Sequence, residues 1–189
     1  MSKIFFKGSC MLNPVPSVLI TSKSKNKDIN VFTAAWVGNA CTKPPMITVA
    51  IKPERLSYKY IKETMEFAVN LPSRNLTRIV DLCGVKSGRD FNKIKECKLK
   101  LEKSEKISVP CIKECAVNME CKVKSIIPLG SHHLFIAEIL SVHVDETLID
   151  NKGKIHLEKA DLICYSHGEY FPINSKSLGK FGFSVKKKR

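Results

Sequence analysis

The sequence lacks the long apolar runs and short periodic repeats by which several classes of protein are recognised. No apolar run approaches the roughly 18 residues of a membrane-spanning helix, so no membrane partner is expected. Glycine and proline number nine each and follow no three-residue period, which excludes a collagen-like chain. Lys7 interrupts the short apolar start and no small-residue cleavage site follows it, so a secretory signal is not expected.

Paired cysteine motifs are also absent, although the chain has eight cysteines. No C-x-x-C pair occurs, and neither the Cys111/Cys115 spacing nor the Cys115/Cys121 spacing is followed by the second ligand pair of a zinc site. The sequence therefore predicts free, largely buried thiols, no metal site and a reducing, cytoplasmic location. An iron–sulfur cluster held by these three cysteines and a distant fourth is a weaker alternative.

The common catalytic motifs are missing as well. The sequence contains no G-x-S-x-G, G-x-x-x-x-G-K-[ST], G-x-G-x-x-G or H-E-x-x-H pattern. None of the five histidines has an aspartate or glutamate placed to complete an obvious metal set. Acyl-transfer enzymes and zinc enzymes are therefore disfavoured.

Positive charge is present in excess. The formal net charge is +14, and the sequence pI is about 9.5. Nucleic acid, an anionic membrane surface or an anionic small ligand could each account for such a charge. Most of the cations are lysines spread along the chain, whereas base readout favours arginine. Their one dense run, residues 186–189, lies at the terminus, where disorder is expected. Nucleic acid is therefore not the expected partner, and a basic, non-enzymatic nucleic-acid or anion-binding module remains the alternative reading.

The 189 residues suit a single domain, with a core over about 12–170 and a basic tail over 171–189. Alternating or continuous apolar runs predict strands over 15–21, 29–37, 46–51, 66–71, 116–127, 133–144 and 161–165. Short helices are predicted over 57–64 with Ser57 as N-cap, over 76–83 ended by Gly84, and over 90–97 capped by Asp90. Because the helices do not alternate with the strands, these elements predict a mainly β fold, an antiparallel barrel with flanking short helices.

Three segments suit a planar, anionic ligand. Thr33-Ala34-Ala35-Trp36 puts small side chains beside the sole tryptophan, so that a flat ring could approach the backbone. Arg55-Leu56-Ser57-Tyr58 puts a cation and a hydroxyl at a predicted helix N-terminus, where anions bind. In the third segment, Ser87-Gly88-Arg89-Asp90-Phe91-Asn92-Lys93, the glycine permits a tight backbone, and Lys93 lies about one turn into the predicted helix. Taken singly, each segment also fits an ordinary role: core packing, a helix cap, or a capped helix with an exposed lysine.

Taken together and in order, these segments resemble the FMN-binding split-barrel family of flavin reductase-like proteins, and the flavoredoxin branch within it. The resemblance covers the chain from about residue 14 to residue 170. It is carried by residues 14–22 (PVPSVLITS), 30–37 (NVFTAAWV), 43–45 (KPP), 51–58 (IKPERLSY), 61–64 (IKET), 67–72 (FAVNLP), 81–84 (DLCG), 87–93 (SGRDFNK), 114–121 (ECAVNMEC), 130–135 (GSHHLF) and 138–145.

The resemblance implies a six-stranded antiparallel split barrel that forms a homodimer and binds FMN near the interface. It implies that Asn30 and Trp36 lie along the isoalloxazine, and that Thr33, Ala34 and Ala35 present backbone to it. Arg55, Leu56 and Ser57 would hold the phosphate, while Ser87, Gly88 and Lys93 would extend toward the phosphate and ribityl chain. His132 and Tyr165 would close the flavin from the second half of the chain. Ser57 stands where threonine is common, and Tyr165 where another aromatic residue occurs.

The flavin would carry the redox chemistry, so no catalytic side chain is assigned, and Cys41 and Cys83 are expected to be spectators. Two mechanisms stay open. A reductase would take hydride from NAD(P)H and pass electrons to free flavin or another acceptor. A flavoredoxin-like carrier would take electrons from a protein donor, and its positive charge would suit an acidic partner such as a ferredoxin.

Overall fold

The computed structural model describes residues 1–173 and 176–185. The strands are β1 (Val15–Pro16), β2 (Val18–Lys23), β3 (Ile29–Ala34), β4 (Val37–Thr42), β5 (Pro45–Ile51), β6 (Glu66–Leu71), β7 (Leu101–Glu102), β8 (Cys111–Ile112), β9 (Val117–Pro128), β10 (His133–Val144), β11 (Ile163–Ser166) and β12 (Glu169–Pro172). The α-helices are α1 (Leu56–Thr64), α2 (Thr77–Val85) and α3 (Lys93–Glu96). No helix in the described ranges is long and apolar enough to cross a membrane.

Seven of these strands form the main sheet, in the order β3-β2-β6-β9-β10-β5-β4, and every neighbouring pair is antiparallel. Strands β3 and β5 also approach one another, although four strands separate them in the sheet order. A smaller sheet joins β1, β11 and β12, and β7 pairs with β8. The mainly β, antiparallel fold is thus confirmed. The main sheet has seven strands where six were expected.

The longest hairpin joins β9 to β10, two strands of twelve residues each. Its register shifts twice, between Ile136 and Ala137 and between Ile139 and Ser141, which are the irregularities that bend a strand. The turn between the two strands contains Gly130 in the left-handed region, with a φ of 86°. This turn brings His132 beside the C-terminal end of β5, since the next residue, His133, pairs with Ile51.

The core lies on both sides of the sheet. One cluster gathers Phe67, Phe135 and Ile61, all fully buried, beneath helix α1. A second cluster packs Val31 of β3 against Val80 of α2. Each such side chain stabilises the fold by roughly 1.5–3 kcal/mol on burial, so both helices are held firmly on the strands that they flank.

Two strand predictions need correction. The run over 15–21 is divided between β1 and β2, which belong to different sheets. The run over 29–37 ends at Ala34, because the chain bends at Ala35 and Trp36 before β4 begins. Strand β4 was not predicted, since residues 38–41 (GNAC) carry no β-branched side chain. It forms by pairing with β5.

The predicted helix boundaries are also wrong in three places. Helix α1 begins at Leu56 with Arg55 as its N-cap, so Ser57 does not cap it. Helix α2 runs to Val85, which puts Gly84 inside the helix and not after it. Helix α3 is only four residues long, and Asn92, not Asp90, caps it by accepting a hydrogen bond from the Lys95 backbone. The basic run predicted at 186–189 lies outside the described residues.

Candidate functional site

Two adjoining cavities lie where β3, the bend after it and the start of α1 meet. The first, of about 170 Å³, is lined by Phe32, Thr33, Ala34, Ala35, Trp36, Ala50, Ile51, Lys52, Arg55 and His132. The second, of about 200 Å³, is lined by Asn30, Phe32, Lys52, Glu54, Arg55, Leu56, Ser57, Lys86, Ser87, Gly88, Arg89 and Lys93. Because Phe32, Lys52 and Arg55 line both, the cavities form one continuous groove, named here the ring cavity and the phosphate cavity.

The ring cavity has an aromatic side wall. The bend after β3 leaves Trp36 48% exposed, and its indole packs on the His132 imidazole with ring centroids 4.5 Å apart at 44°. Burial and the nearby Lys52 ammonium lower the pKa of His132 from its usual value. The imidazole is therefore mainly neutral at pH 7, so it offers one N–H donor and one acceptor nitrogen to a ligand.

The floor of the ring cavity is the backbone of β3 and the bend. The Thr33 hydroxyl donates to the Val80 carbonyl of α2, so this side chain holds the helix and does not face a ligand. Ala34 is buried and Ala35 is half-buried, and their small side chains leave the main chain accessible. A flat ring could therefore lie on this floor beside the indole.

Helix α1 supplies the anion-binding end of the phosphate cavity. Ser57, the second helical residue, is fully buried, and its Oγ accepts hydrogen bonds from Ser22 Oγ at 2.7 Å and Asn30 Nδ2 at 2.9 Å. This arrangement leaves the hydroxyl proton of Ser57 free to donate into the cavity. The first backbone N–H groups of a helix have no intrahelical acceptor, so they add further donors at the same place.

Asn30 lines the phosphate cavity, whereas Trp36 lines the ring cavity. The buried amide of Asn30 sits directly against Gly88, since a Cβ added to that glycine would lie 2.1 Å from Asn30 Oδ1. No side chain larger than hydrogen fits there without moving Asn30. Glycine is therefore needed at position 88 because two segments of the wall approach one another closely there.

Lys93 is the first residue of α3 and is almost fully buried, not about one turn into a helix as predicted. Its Nζ donates to the carbonyls of Val31 and Cys83, each at 2.8 Å. An ammonium has three protons, so one stays available to the cavity. Burial lowers the pKa of Lys93, and the Arg55 guanidinium lowers it further. An anion bound beside Lys93 would favour its charged form.

Cations dominate the lining of the phosphate cavity. The lining holds one carboxylate, that of Glu54, and five cationic side chains: Lys52, Arg55, Lys86, Arg89 and Lys93. The Arg55 guanidinium is fixed by a hydrogen bond of 3.3 Å to the Gly84 carbonyl at the end of α2. A ligand that brings two negative charges to this end would be well compensated.

The structure brings together twelve of the thirteen predicted site residues and places the other apart. Tyr165 lines a third cavity, of about 750 Å³, which shares only Ala35, Trp36 and Ala50 with the ring cavity. The sequence interpretation missed seven lining residues of the groove: Phe32, Ala50, Ile51, Lys52, Glu54, Lys86 and Arg89. Each belongs to, or directly adjoins, one of the three segments or the strand-to-helix block 51–58, and that neighbourhood is the signal that could have found them.

The two cysteines expected to be spectators lie outside the lining of the groove. Burial raises the pKa of the Cys83 thiol to about 12, so this sulfur stays protonated at neutral pH. Cys41 is exposed on β4. Only the Cys83 carbonyl reaches the groove, through its bond to Lys93.

A cavity with a backbone floor and an aromatic side wall, joined to a cation-lined helix terminus, fits a molecule with a planar ring at one end and a phosphate at the other. The buried hydroxyl of Ser57 and the ammonium of Lys93 each keep a proton free for such a phosphate. The antiparallel barrel and this groove together define the class of flavin-binding split barrels.

The particular family follows from comparison with known sequences. The family model described as the flavin reductase like domain matches residues 11–173, and the chain belongs to this family. An uncharacterized protein of Archaeoglobus fulgidus is 37% identical over 164 residues, which are 87% of this chain and 90% of that protein. The family supports a flavin cofactor and oxidoreductase chemistry.

Solved structures show the same architecture. Flavoredoxin of Desulfovibrio vulgaris (Miyazaki F) is 27% identical, with a TM-score of 0.91 over 98% of this chain and 100% of that one. Flavoredoxin from Methanosarcina acetivorans is 25% identical, with a TM-score of 0.87 over 98% and 100%. Nitrilotriacetate monooxygenase component B from Bacillus cereus is 26% identical, with a TM-score of 0.81 over 89% and 88%. The resemblance inferred from the sequence is confirmed.

Proposed function

We propose that the protein binds FMN in this groove and transfers electrons through it, from NAD(P)H or a protein donor to free flavin or a redox partner. The observation that carries the proposal is the continuity of the ring cavity with the cation-lined phosphate cavity. The two flavoredoxin neighbours support it, because their name describes a flavin-dependent redox protein.

The chain's own residues bind and orient the cofactor. Arg55, Ser57 and Lys93 donate to the phosphate, with Leu56 contributing its backbone at the start of α1 and Asn30 holding the Ser57 hydroxyl in place. Ser87 and Gly88 form the wall along the ribityl chain.

At the other end of the groove, Ala34, Ala35 and the Thr33 backbone support the isoalloxazine, and Trp36 and His132 cover its edge. The flavin, when bound, supplies the hydride and single-electron chemistry. Tyr165 does not line the groove within one chain but lines the third cavity, which adjoins it. We also propose a homodimer with the flavin near its interface.

Two mechanisms remain within this proposal. In a reductase, NAD(P)H would reduce the flavin directly. In a flavoredoxin-like carrier, the donor would be an acidic redox protein such as a ferredoxin, attracted by the basic surface. The reducing cytoplasm, indicated by eight free cysteines, is part of the same proposal.

The decisive experiment is the visible spectrum of the protein purified without added flavin, followed under anaerobic conditions by excess NADH or NADPH. Flavin bands that a pyridine nucleotide bleaches would establish a reductase. Flavin bands that only dithionite bleaches would establish the carrier. A colourless protein that fails to take up added FMN would overturn the proposal and favour the basic anion-binding module.

A further inference from the structure

The third cavity is unusual for its lack of charge. Its sixteen lining residues include no aspartate, glutamate, lysine or arginine. Charged residues make up 26% of the chain, so sixteen residues drawn at random would include about four. His167 is the one basic side chain in this lining, so the cavity offers little to compensate the charge of an anionic or a cationic ligand, although the protein has a net charge of +14.

The walls of this cavity are mainly apolar, although they also include Ser9, Asn13, Thr48 and His167. The indole of Trp36 and the phenol of Tyr165 both line it, with Leu134 and Met11. The Tyr165 ring is held edge-on by Tyr170, with centroids 5.4 Å apart at 62°. Fixed aromatic rings of this kind favour a planar, uncharged partner that can stack or pack edge to face.

Size and position point in the same direction. The volume of about 750 Å³ lies within the roughly 300–1,000 Å³ of small-molecule sites. Trp36, Ala35 and Ala50 are common to this cavity and the ring cavity, so an occupant would lie next to a flavin bound there. Residues 9–13 form one wall, so an occupant would lie between this segment and the strands of the sheet.

From these observations we propose that the third cavity binds an uncharged, multi-ring aromatic or quinoid molecule, the electron acceptor of this protein. The role of this molecule as electron acceptor rests on the proposed flavin function, whereas its binding in the cavity does not. A quinone that gains two electrons and two protons becomes a quinol, and oxidation of a fully reduced flavin releases the same two electrons and two protons.

The sole tryptophan provides the test, because Trp36 is in the wall. The probes are 2-(hydroxymethyl)anthraquinone and anthraquinone-2-sulfonate, which share one ring system and have no open quinone position for thiols to attack. Quenching of Trp36 fluorescence is titrated in the protein with and without FMN. We expect the neutral probe to bind about tenfold more tightly than the sulfonate, since the apolar cavity penalises the charge.

The net charge of the protein makes this comparison stringent, because general electrostatic attraction would favour the sulfonate. Met11→Asp puts a carboxylate into the wall at a residue 64% exposed, so folding should be unaffected. It should weaken the neutral probe about fivefold. Ile4→Asp, at an exposed residue that lines none of the cavities described, is the matched control and should leave binding within about twofold.

Equal or tighter binding of the sulfonate, no quenching by either probe, or an undiminished affinity in Met11→Asp would each overturn the proposal. The proposal would also fail if light scattering showed Met11→Asp to be a smaller oligomer and neither probe bound. A second copy of the chain would then occupy the cavity. Binding of FMN is measured separately by its own fluorescence. Probe binding without FMN binding would overturn the proposed function and leave the cavity assignment standing.

Discussion

Asn30 supports the phosphate cavity through two contacts made by one buried amide. Its nitrogen donates to Ser57, and its oxygen lies against the backbone of Gly88. A fixed amide of this kind sets both the direction of the serine hydroxyl and the position of the 87–93 segment. Asn30 can therefore control ligand affinity through the groups that it positions.

Gly88→Ala tests this arrangement. The added methyl would force the Asn30 amide to move, because it would lie 2.1 Å from Asn30 Oδ1. We expect an FMN affinity about tenfold lower, equivalent to about 1.4 kcal/mol, measured by quenching of flavin fluorescence. Overpacking should also lower the free energy of unfolding by about 1–3 kcal/mol.

The control for this variant is Gly8→Ala, where an added Cβ meets nothing within 4 Å. It should behave as the unmodified protein in both measurements. Unchanged FMN affinity in Gly88→Ala would show that Asn30 does not hold Ser57 in its binding position.

Lys93→Met removes a buried ammonium and leaves two carbonyls, those of Val31 and Cys83, without their donor. Unsatisfied buried acceptors are costly, so the free energy of unfolding should fall by about 1–3 kcal/mol in urea titrations. FMN affinity should fall about tenfold as well, through loss of a charge-assisted hydrogen bond. Lys95→Met, on the exposed side of the same helix, is the matched control and should change neither quantity.

At the scale of elements, the N-terminal end of α1 is the part of the groove that binds anions. Riboflavin carries the same ring as FMN but no phosphate, so it should bind at least about tenfold more weakly by flavin fluorescence. Arg55→Leu should weaken FMN binding while leaving riboflavin binding unchanged. Equal losses for both ligands would mean that Arg55 acts on the ring and not on the phosphate.

A second structural element, the connection between β7 and β8, is held in place by a buried carboxylate. Glu120 of β9 is fully buried, and its two oxygens accept from the backbone N–H groups of Glu105, Lys106 and Ile107 and from His143 Nε2. Burial alone would raise the pKa of Glu120, but these hydrogen bonds outweigh it and the pKa is lowered. The connection between β7 and β8 is thereby fastened to the long hairpin.

Glu120→Gln should lower the free energy of unfolding by about 2 kcal/mol, because an amide NH₂ would face N–H donors. A lowered pKa stabilises the fold fully above the unfolded value of 4.5 and progressively less as the pH falls below it. The difference between the variant and the unmodified protein should therefore be larger at pH 7 than at low pH, and it should shrink as the pH falls below 4.5 in urea titrations.

Glu138→Gln is the matched control for this variant. It changes a carboxylate on the neighbouring strand whose partner is the half-exposed Lys124, so its effect should stay below about 1 kcal/mol. A pH-independent difference for Glu120→Gln would show that the carboxylate is not charged in the folded protein.

The sequence was informative about these elements where a local pattern determines them. The apolar runs of β5, β6 and β10 predicted strands within a residue of their observed bounds, since β-branched and aromatic side chains suit a buried sheet. Ser57 was misread as a cap because serine favours that position locally. Its actual partners, Ser22 and Asn30, are 35 and 27 residues away, and no local pattern reports such contacts.

The site shows the same division. The Arg55–Ser57 and Ser87–Lys93 segments could be recognised from residue types alone, but their meeting at one cavity follows from the packing of α2 against β3. The placement of Tyr165 in a separate cavity depends on the pairing of β11 with β1, which joins residues about 150 positions apart.

At the scale of the whole molecule, the net charge of +14 should govern encounters with a protein donor. Oppositely charged partners associate faster by roughly 10–10³-fold at low salt, and the effect disappears as the Debye length shortens from about 10 Å at 0.1 M to 3 Å at 1 M. The rate of flavin reduction by an acidic ferredoxin should therefore fall at least about tenfold over this range of salt, in stopped-flow measurements.

Reduction by a small uncharged reductant is the comparison, and it should vary by less than about twofold over the same salt range. A ferredoxin rate that does not depend on salt would exclude steering by the basic surface. It would direct attention to the pyridine nucleotide as the donor.

The burial of Lys93 has a practical consequence for chemical labelling of this protein. It is the buried lysine of the described chain, with its amine committed to two carbonyls, while the other described lysines reach solvent. Amine-directed reagents such as activated esters attack unprotonated, accessible amines. They would therefore modify the surface lysines and not Lys93. Tethering the protein to an electrode or a resin through its lysines should therefore leave Lys93 unmodified, whereas the exposed Lys52 and Lys86 of the same lining would react.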